Sequence, residues 1–295
     1  MSALLQRKYR LVILKFIALL SLVRWYNVLL LVAAQYLASF FVLRPISDWR
    51  SSVLDYRLHL IILASSLVIA AGFIINSFYD QEKDLINRPQ QTIFERLISR
   101  RTSFQLAFTF ILLAILLAYV VSWRAALFYL LYAGALWYYS HKLKKLTFIG
   151  NLAAAILAIT PFFGIFFYFG SIHWDLFIYV SFMLFLELSR EIVKDIAAVK
   201  GDVIIGYPTL PVVLGVRKTK AIVLFINFLS FIPAFLVYPL FSLPVIIFLV
   251  SCLMGITITN LYLNWDDDEN RAILVNKIYK VFVLSSGLSL VLFAA

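Results

Sequence analysis

Stretches of about 18 or more predominantly apolar residues recur along the whole chain, and such stretches are the signature of membrane-spanning helices. Nine are predicted, over residues 20–43, 58–79, 104–121, 124–140, 149–169, 174–190, 219–238, 241–262 and 275–294. The 104–140 pair is parted only by residues 122–124. With 63% hydrophobic and 14% charged residues, no intervening stretch is long enough for a separate soluble domain. The expected fold is all-α: one polytopic membrane unit over residues 1–295, with about nine transmembrane helices.

The N-terminus imitates a signal peptide, because Arg7, Lys8 and Arg10 precede an apolar run from Leu11 to Val23. Arg24 and Asn27 interrupt that run and a second one follows, so an uncleaved first helix is expected. Residues 11–43 are too long for one perpendicular span at about 1.5 Å per residue, which puts the first dozen at the interface or inside the bundle. With the N-terminus in the cytoplasm, nine alternating spans leave 21 of the 26 basic residues on the inside. The net charge of +11 is then mainly topogenic, with attraction to anionic membrane lipids, and nucleic acid is not an expected partner. Cys252 stands alone, and His59, His141 and His173 are scattered. That excludes a disulfide framework and gives no zinc spacing. No Ser-His-Asp or nucleotide-binding glycine pattern is present.

Residues 76–89 place Asn76, Asp80 and Asp84 four apart at the end of the second apolar run. On a helix this spacing stacks an amide and two carboxylates on one face. Adjacent carboxylates repel unless a cation lies between them, and hard oxygen donors suit Mg²⁺ with phosphate oxygens completing its shell. Residues 187–202, at the end of the sixth run, repeat the theme. On one continuous helix Glu191, Asp195 and Asp202 fall at about 0°, 40° and 20° around the axis, with Arg190, Lys194 and Lys200 interleaved. Both acidic segments lie in loops on the predicted cytoplasmic side. A carboxylate within hydrocarbon costs about 2.5–3.5 kcal/mol, so such placement marks function.

Blander readings exist for each group. The first acids could be a solvated helix end paired with Lys83 and Arg88, and the second an ordinary polar loop. Arg24 and Asn27 could snorkel to headgroups or face a cavity. Lys142, Lys144 and Lys145 read as topogenic charges or as ligands. The run from Asp266 to Glu269 reads as a solvated loop.

Together the two segments resemble the UbiA superfamily of intramembrane prenyltransferases. The likeness takes in Arg24-Trp-Tyr-Asn27, Asn87-Arg88-Pro89, Tyr139-Ser140 with Lys142, Lys144 and Lys145, Gly150-Asn151, Arg190-Glu191-Ile-Val-Lys194-Asp195-Ile, and Thr209-Leu210-Pro211 with Gly215. It implies nine helices around a central cavity, in which two Mg²⁺ ions bridge the acidic segments through the diphosphate of an allylic isoprenyl donor. Asn76, Asp80 and Asp84 would hold one ion, and Glu191, Asp195 and Asp202 the other. Asp80, Asp84, Asp195 and Asp202 become the catalytic acids by the same analogy. Arg88, Lys144 and Lys194 would neutralise the diphosphate, and Arg24 and Asn27 would contact substrate. The chemistry agrees: diphosphate leaves once metal and Lys/Arg neutralise it, and the allylic cation needs a water-poor cavity.

Two positions depart from the family pattern. Ser77 follows Asn76 where relatives often carry Asp. Ala198, which a continuous helix would put on the face of Glu191 and Asp195, stands where relatives tend to carry a further acid. The acceptor is expected to be lipid or aromatic. The second segment and Thr209-Leu210-Pro211 look most like the branch that alkylates geranylgeranylglyceryl phosphate, and quinone precursors such as 4-hydroxybenzoate or a hydroxynaphthoate are the alternative. A secondary transporter and a non-catalytic isoprenoid-binding relative are the readings from other classes.

Overall fold

The computed structural model describes residues 2–43, 49–87, 89–170, 174–237, 242–265 and 269–294. Among them are fourteen α-helices and no strand. α1 (Ser2–Leu22) and α2 (Trp25–Phe41) are bent by 51° at a break where Arg24 takes left-handed backbone angles (φ 50°, ψ 50°). The predicted long first segment is therefore two helices that meet at a bend. α3 (Trp49–Val53) is short, and α4 (Tyr56–Asn87) runs unbroken for 32 residues. α5 (Pro89–Glu95) leads to α6 (Arg100–Val121) and α7 (Trp123–His141). Ser122 alone separates that last pair. Its extended backbone ends α6, and its hydroxyl accepts from the Ala125 amide to cap α7.

α8 (Ile149–Phe169) precedes α9 (Trp174–Ala197), α10 (Val199–Ile205) and α11 (Leu210–Leu214), and α12 (Val216–Val237), α13 (Leu243–Asn264) and α14 (Glu269–Leu288) complete the chain. Six of these helices, α4, α6, α8, α12, α13 and α14, are long and apolar enough to cross a membrane, and the bent α1–α2 pair makes a seventh candidate span. α7, rich in Trp and Tyr, and α9, whose last turns carry the second acidic segment, have spanning length but lower hydropathy. They occupy the other two of the nine predicted positions.

In lipid, apolar burial does not drive one helix onto another, so packing and interhelical hydrogen bonds take its place. Phe104, Phe108, Tyr119, Phe228 and Phe235 accordingly point outward. The buried residues of α6 are all small (Ser103, Ala107, Ala114 and Ala118), which lets it lie close against α4. At the middle of the first half, Gln35 on α2 donates to Ser65 on α4 and to the Pro161 carbonyl on α8. Pro161 cannot donate to the Leu157 carbonyl one turn earlier, and the Tyr132 hydroxyl fills that position at 2.9 Å. In the second half a buried chain runs from Ser189 (α9) through Asn227 (α12) and Tyr279 (α14) to Asn260 (α13). The halves meet along α8–α9, α4–α10 and α2–α14. This leaves the C-terminal ends of α4 and α9 at the same end of the bundle.

Candidate active site

α4 stays helical through Asn87, so Asn76, Asp80 and Asp84 are on successive turns of one helix, as their spacing predicts, and not in a loop. Asp80 is half-buried and accepts a 2.6 Å hydrogen bond from Lys144 Nζ. Lys144 sits in a single 3₁₀ turn (Leu143–Lys145) between α7 and α8. That turn lies against Gly150, where a Cβ would come within 3.0 Å of the Leu143 carbonyl oxygen and 3.1 Å of Lys144 Cα. Burial pulls the Lys144 ammonium below its usual lysine range, against the opposing pull of Asp80. Of the three lysines read as topogenic or ligating, Lys144 turns inward. Asp84 faces a water-sized cavity of about 10 Å³ shared with Arg24, Ser77, Thr92 and Glu95. Glu95, which the sequence reading passed over, accepts from Ser21 at 2.9 Å and Ser77 at 3.4 Å, tying α5 to α1 and α4. Asn76 is half-buried and its side chain makes no hydrogen bond among the described residues.

The second segment differs from its prediction. The helix breaks at Ala198 (φ −111°, ψ 9°), so Asp202 belongs to α10 and the wheel drawn through residues 191–202 does not hold. Asp202 nevertheless comes back to the site. It is fully buried, with Lys83 Nζ 2.5 Å from Oδ1 and Thr209 Oγ1 donating to Oδ2 at 3.1 Å. Asp195, 7% exposed, accepts from Asn151 Nδ2 at 2.6 Å. Glu191, 5% exposed, is held by Arg190 and Lys194, while Arg190 also clamps Glu187. Lys194 is thus engaged by the acid one turn before it.

The two segments converge. Lys83 on α4 lies within electrostatic reach of Asp195, Asp202 and Asp80. Tyr139 on α7 is an electrostatic neighbour of Glu191, Asp195 and Asp80. Lys83 therefore pairs across to the second segment, where the bland reading had it paired along its own helix. Gly201 permits the approach, since a Cβ there would stand 2.5 Å from Asn87 Nδ2. Tyr207 lies between Lys83 (5.9 Å) and Lys145 (5.6 Å), and the Thr147 hydroxyl donates to the Pro208 carbonyl at 2.5 Å. Burial, reinforced by Asp80, raises the Tyr207 hydroxyl above its usual range.

Arg24 packs over the Phe73 ring at 5.1 Å and is a charge neighbour of Glu191, which assigns it to the interior and not to snorkelling. Asn27 is half-buried, three residues on. Arg88, and the acidic run except Glu269, lie outside the described residues.

Sequence reasoning left Lys83, Asn151, Thr209, Tyr207 and Glu95 without roles. Asn151 and Thr209 lay within motifs it had noticed, whereas Lys83 and Glu95 carry no spacing signal. The donor set is rich in hard oxygens and suits Mg²⁺ chemically. Among the described residues, however, no three or more His, Cys, Asp or Glu side chains are gathered closely enough to hold a metal ion by themselves. An apolar groove of about 440 Å³ between α12 and α13 is lined by none of these acids.

Residues 36–284 match the UbiA prenyltransferase family. The digeranylgeranylglyceryl phosphate synthase of Pyrococcus horikoshii is 37% identical over 182 residues, 61% of this chain and 65% of that protein. That of Sulfurisphaera tokodaii is 34% identical over 209 residues, 69% of this chain and 74% of that one. The chain thus matches less than two thirds of the length of the Pyrococcus horikoshii relative. A solved structure concerning digeranylgeranylglyceryl phosphate synthase in membranes aligns with a TM-score of 0.69 at 23% identity, covering 95% of this chain and 99% of that one. A UbiA homolog from Archaeoglobus fulgidus bound to GPP and Mg²⁺ aligns at 0.63 and 17% identity, covering 93% and 99%. At these identities the structural likeness establishes the fold. The matched span takes in every acid brought together above, and the chain belongs to the UbiA prenyltransferase family.

Proposed function

We propose that this chain is a single-domain, multi-pass membrane enzyme that transfers a prenyl group from an allylic isoprenyl diphosphate to an acceptor in the membrane. The best-supported acceptor is geranylgeranylglyceryl phosphate, with a geranylgeranyl donor, because two named digeranylgeranylglyceryl phosphate synthases share 34–37% of the aligned residues. The observation that carries the reading is the convergence of two acidic segments, 100 or more residues apart in sequence, around inward-turned lysines.

Each residue then has a task. Asn76, Asp80 and Asp84 offer oxygen ligands for Mg²⁺, which when bound supplies the charge that makes diphosphate a competent leaving group. Lys144, held next to Asp80, donates to the diphosphate oxygens, and Lys194 adds positive charge beside it, a task that the family likeness extends to Arg88. Glu191 holds Lys194, Asp202 holds Lys83, and Asp195, bonded by Asn151, belongs to the opposite wall. Arg24 and Asn27, where α1 bends into α2, contact the substrate head group. The helices around the site exclude water so that the acceptor captures the allylic cation first. The N-terminus and both acidic segments face the cytoplasm in this reading, supported by the distribution of Lys and Arg.

The test is diphosphate release from geranylgeranyl diphosphate by purified protein in detergent, with and without Mg²⁺. The acceptor panel is geranylgeranylglyceryl phosphate, 4-hydroxybenzoate and a hydroxynaphthoate. Mg²⁺-dependent release with the glyceryl phosphate is expected. Release only with an aromatic acceptor would move the chain to quinone chemistry, and no release from folded protein would sink the enzymatic reading.

A further inference from the structure

We propose that the Lys83 ammonium is a built-in cation standing where a second divalent ion would otherwise bridge the two acidic segments, so that the site takes one Mg²⁺ per chain. This rests on the metal-diphosphate reading above and deepens it.

Every carboxylate of the second segment already has a fixed partner. Asp202 is fully buried, with Lys83 on one oxygen and Thr209 on the other. Asp195 is bonded by Asn151 and lies within electrostatic reach of Lys83. Glu191 is taken at one oxygen by Arg190 and at the other by Lys194. A Mg²⁺ ion demands near-octahedral oxygen ligands at about 2.0–2.1 Å directed at one point. Lys83, paired with Asp202 at 2.5 Å and within electrostatic reach of Asp195 and Asp80, already supplies a positive charge where an ion joining the two segments would sit. Two cations cannot share that place without strong repulsion.

The lysine is also well held: its side chain is 17% exposed and its ammonium lies 5.9 Å from the Tyr207 ring centroid. Ala198 fits the same pattern. It occupies the break between α9 and α10, so no carboxylate at that position adds an oxygen to a metal shell. The first segment is different. Asp80 has one lysine partner, and the Asn76 side chain has no hydrogen-bond partner among the described residues. Oxygen donors there remain for one ion.

The experiment counts Mn²⁺ bound to the full-length protein in detergent with geranylgeranyl thiolodiphosphate, a donor analogue slow to ionise, by titration calorimetry and electron paramagnetic resonance. One Mn²⁺ per chain is expected in the wild type, with the spectrum of an isolated ion. Lys83→Gln is expected to take up a second ion and show a spin-coupled spectrum, whereas Lys83→Arg stays at one. Two ions in the wild type, or one in a folded Lys83→Gln protein, overturn the inference and leave the proposed reaction standing. No bound Mn²⁺ in any of the three proteins overturns both. Should Lys83→Gln fail to fold, as judged by size exclusion and melting, the wild-type and Lys83→Arg counts decide.

Discussion

The first acidic segment lies along one unbroken helix, whereas the second is split between two. Asp80 is half-buried and has its cation from a distant turn, Lys144. Glu191, Asp195 and Asp202 are 5%, 7% and 0% exposed, and Glu191 draws both its cations from its own helix. The contrast separates two jobs. Carboxylates that remain partly open with spare lone pairs can bind an incoming ion. Glu191 and Asp202, engaged on both oxygens, are placed to fix cations that would meet an anionic substrate, and Asp195 is tied by Asn151 to the wall beside them.

Substitutions can break that contrast. Asp80→Ala should lower the rate of diphosphate release by on the order of 10²–10³-fold while the protein still folds, as measured by steady-state kinetics beside a melting curve. Unfolding with no kinetic signature would give the first segment the structural job instead. Asp202→Ala should behave in the opposite way. It leaves Lys83 facing an empty position, and breaking a buried pair of this kind costs about 3–5 kcal/mol. A large fall in melting temperature is expected, and an unchanged one would contradict the burial of the pair.

Gly201→Ala tests the approach between the segments. Its Cβ would press on the Asn87 amide, and overpacking costs about 1–3 kcal/mol. A higher KM for the donor should accompany the lost stability, because the two walls are pushed apart. The smallest effect is expected from Ala198→Asp. At the residue that caps α10, an Asp carboxylate can accept from a free first-turn amide, which stabilises by about 0.5–2 kcal/mol. A slightly raised melting temperature with an unchanged Mg²⁺ requirement would sharpen the picture. A tighter Mg²⁺ requirement would mean that the residue faces the acids despite the broken helix.

How much of this could be read beforehand follows from range. The apolar runs and the four-residue spacing of Asn76, Asp80 and Asp84 are local patterns, and the helices formed where those patterns lay. The break at Ala198 was invisible because Ala is a good helix former. What ends α9 there is the return of Asp202 to Lys83 and Thr209, a tertiary demand. Arg24 was noticed as an interruption in hydrophobicity, but not as a left-handed residue, since nothing in an arginine favours that conformation. Lys83 carries no role in the sequence for a related reason. Spacing along a helix shows which neighbours a lysine could reach at i±3 and i±4, and is silent about a partner 119 positions away in the sequence.

The pairing of Glu187 and Glu191 with Arg190, and of Glu191 with Lys194, also bears on how the chain is made. A charged group brought alone into the bilayer costs about 2.5–3.5 kcal/mol on insertion scales. α9 leaves the ribosome with the counter-ions for both glutamates on the same two turns, and Asp195 finds Asn151 on a helix already made, so α9 can partition into lipid without waiting for a later neighbour. α4 cannot, for Asp80 depends on Lys144, synthesised 64 residues later, and Lys83 depends on Asp202, later still. The charged end of α4 must therefore stay in contact with water or headgroups during biosynthesis until residues past 202 have emerged. Assembly of the site is a late event, timed by the arrival of the segment that closes it.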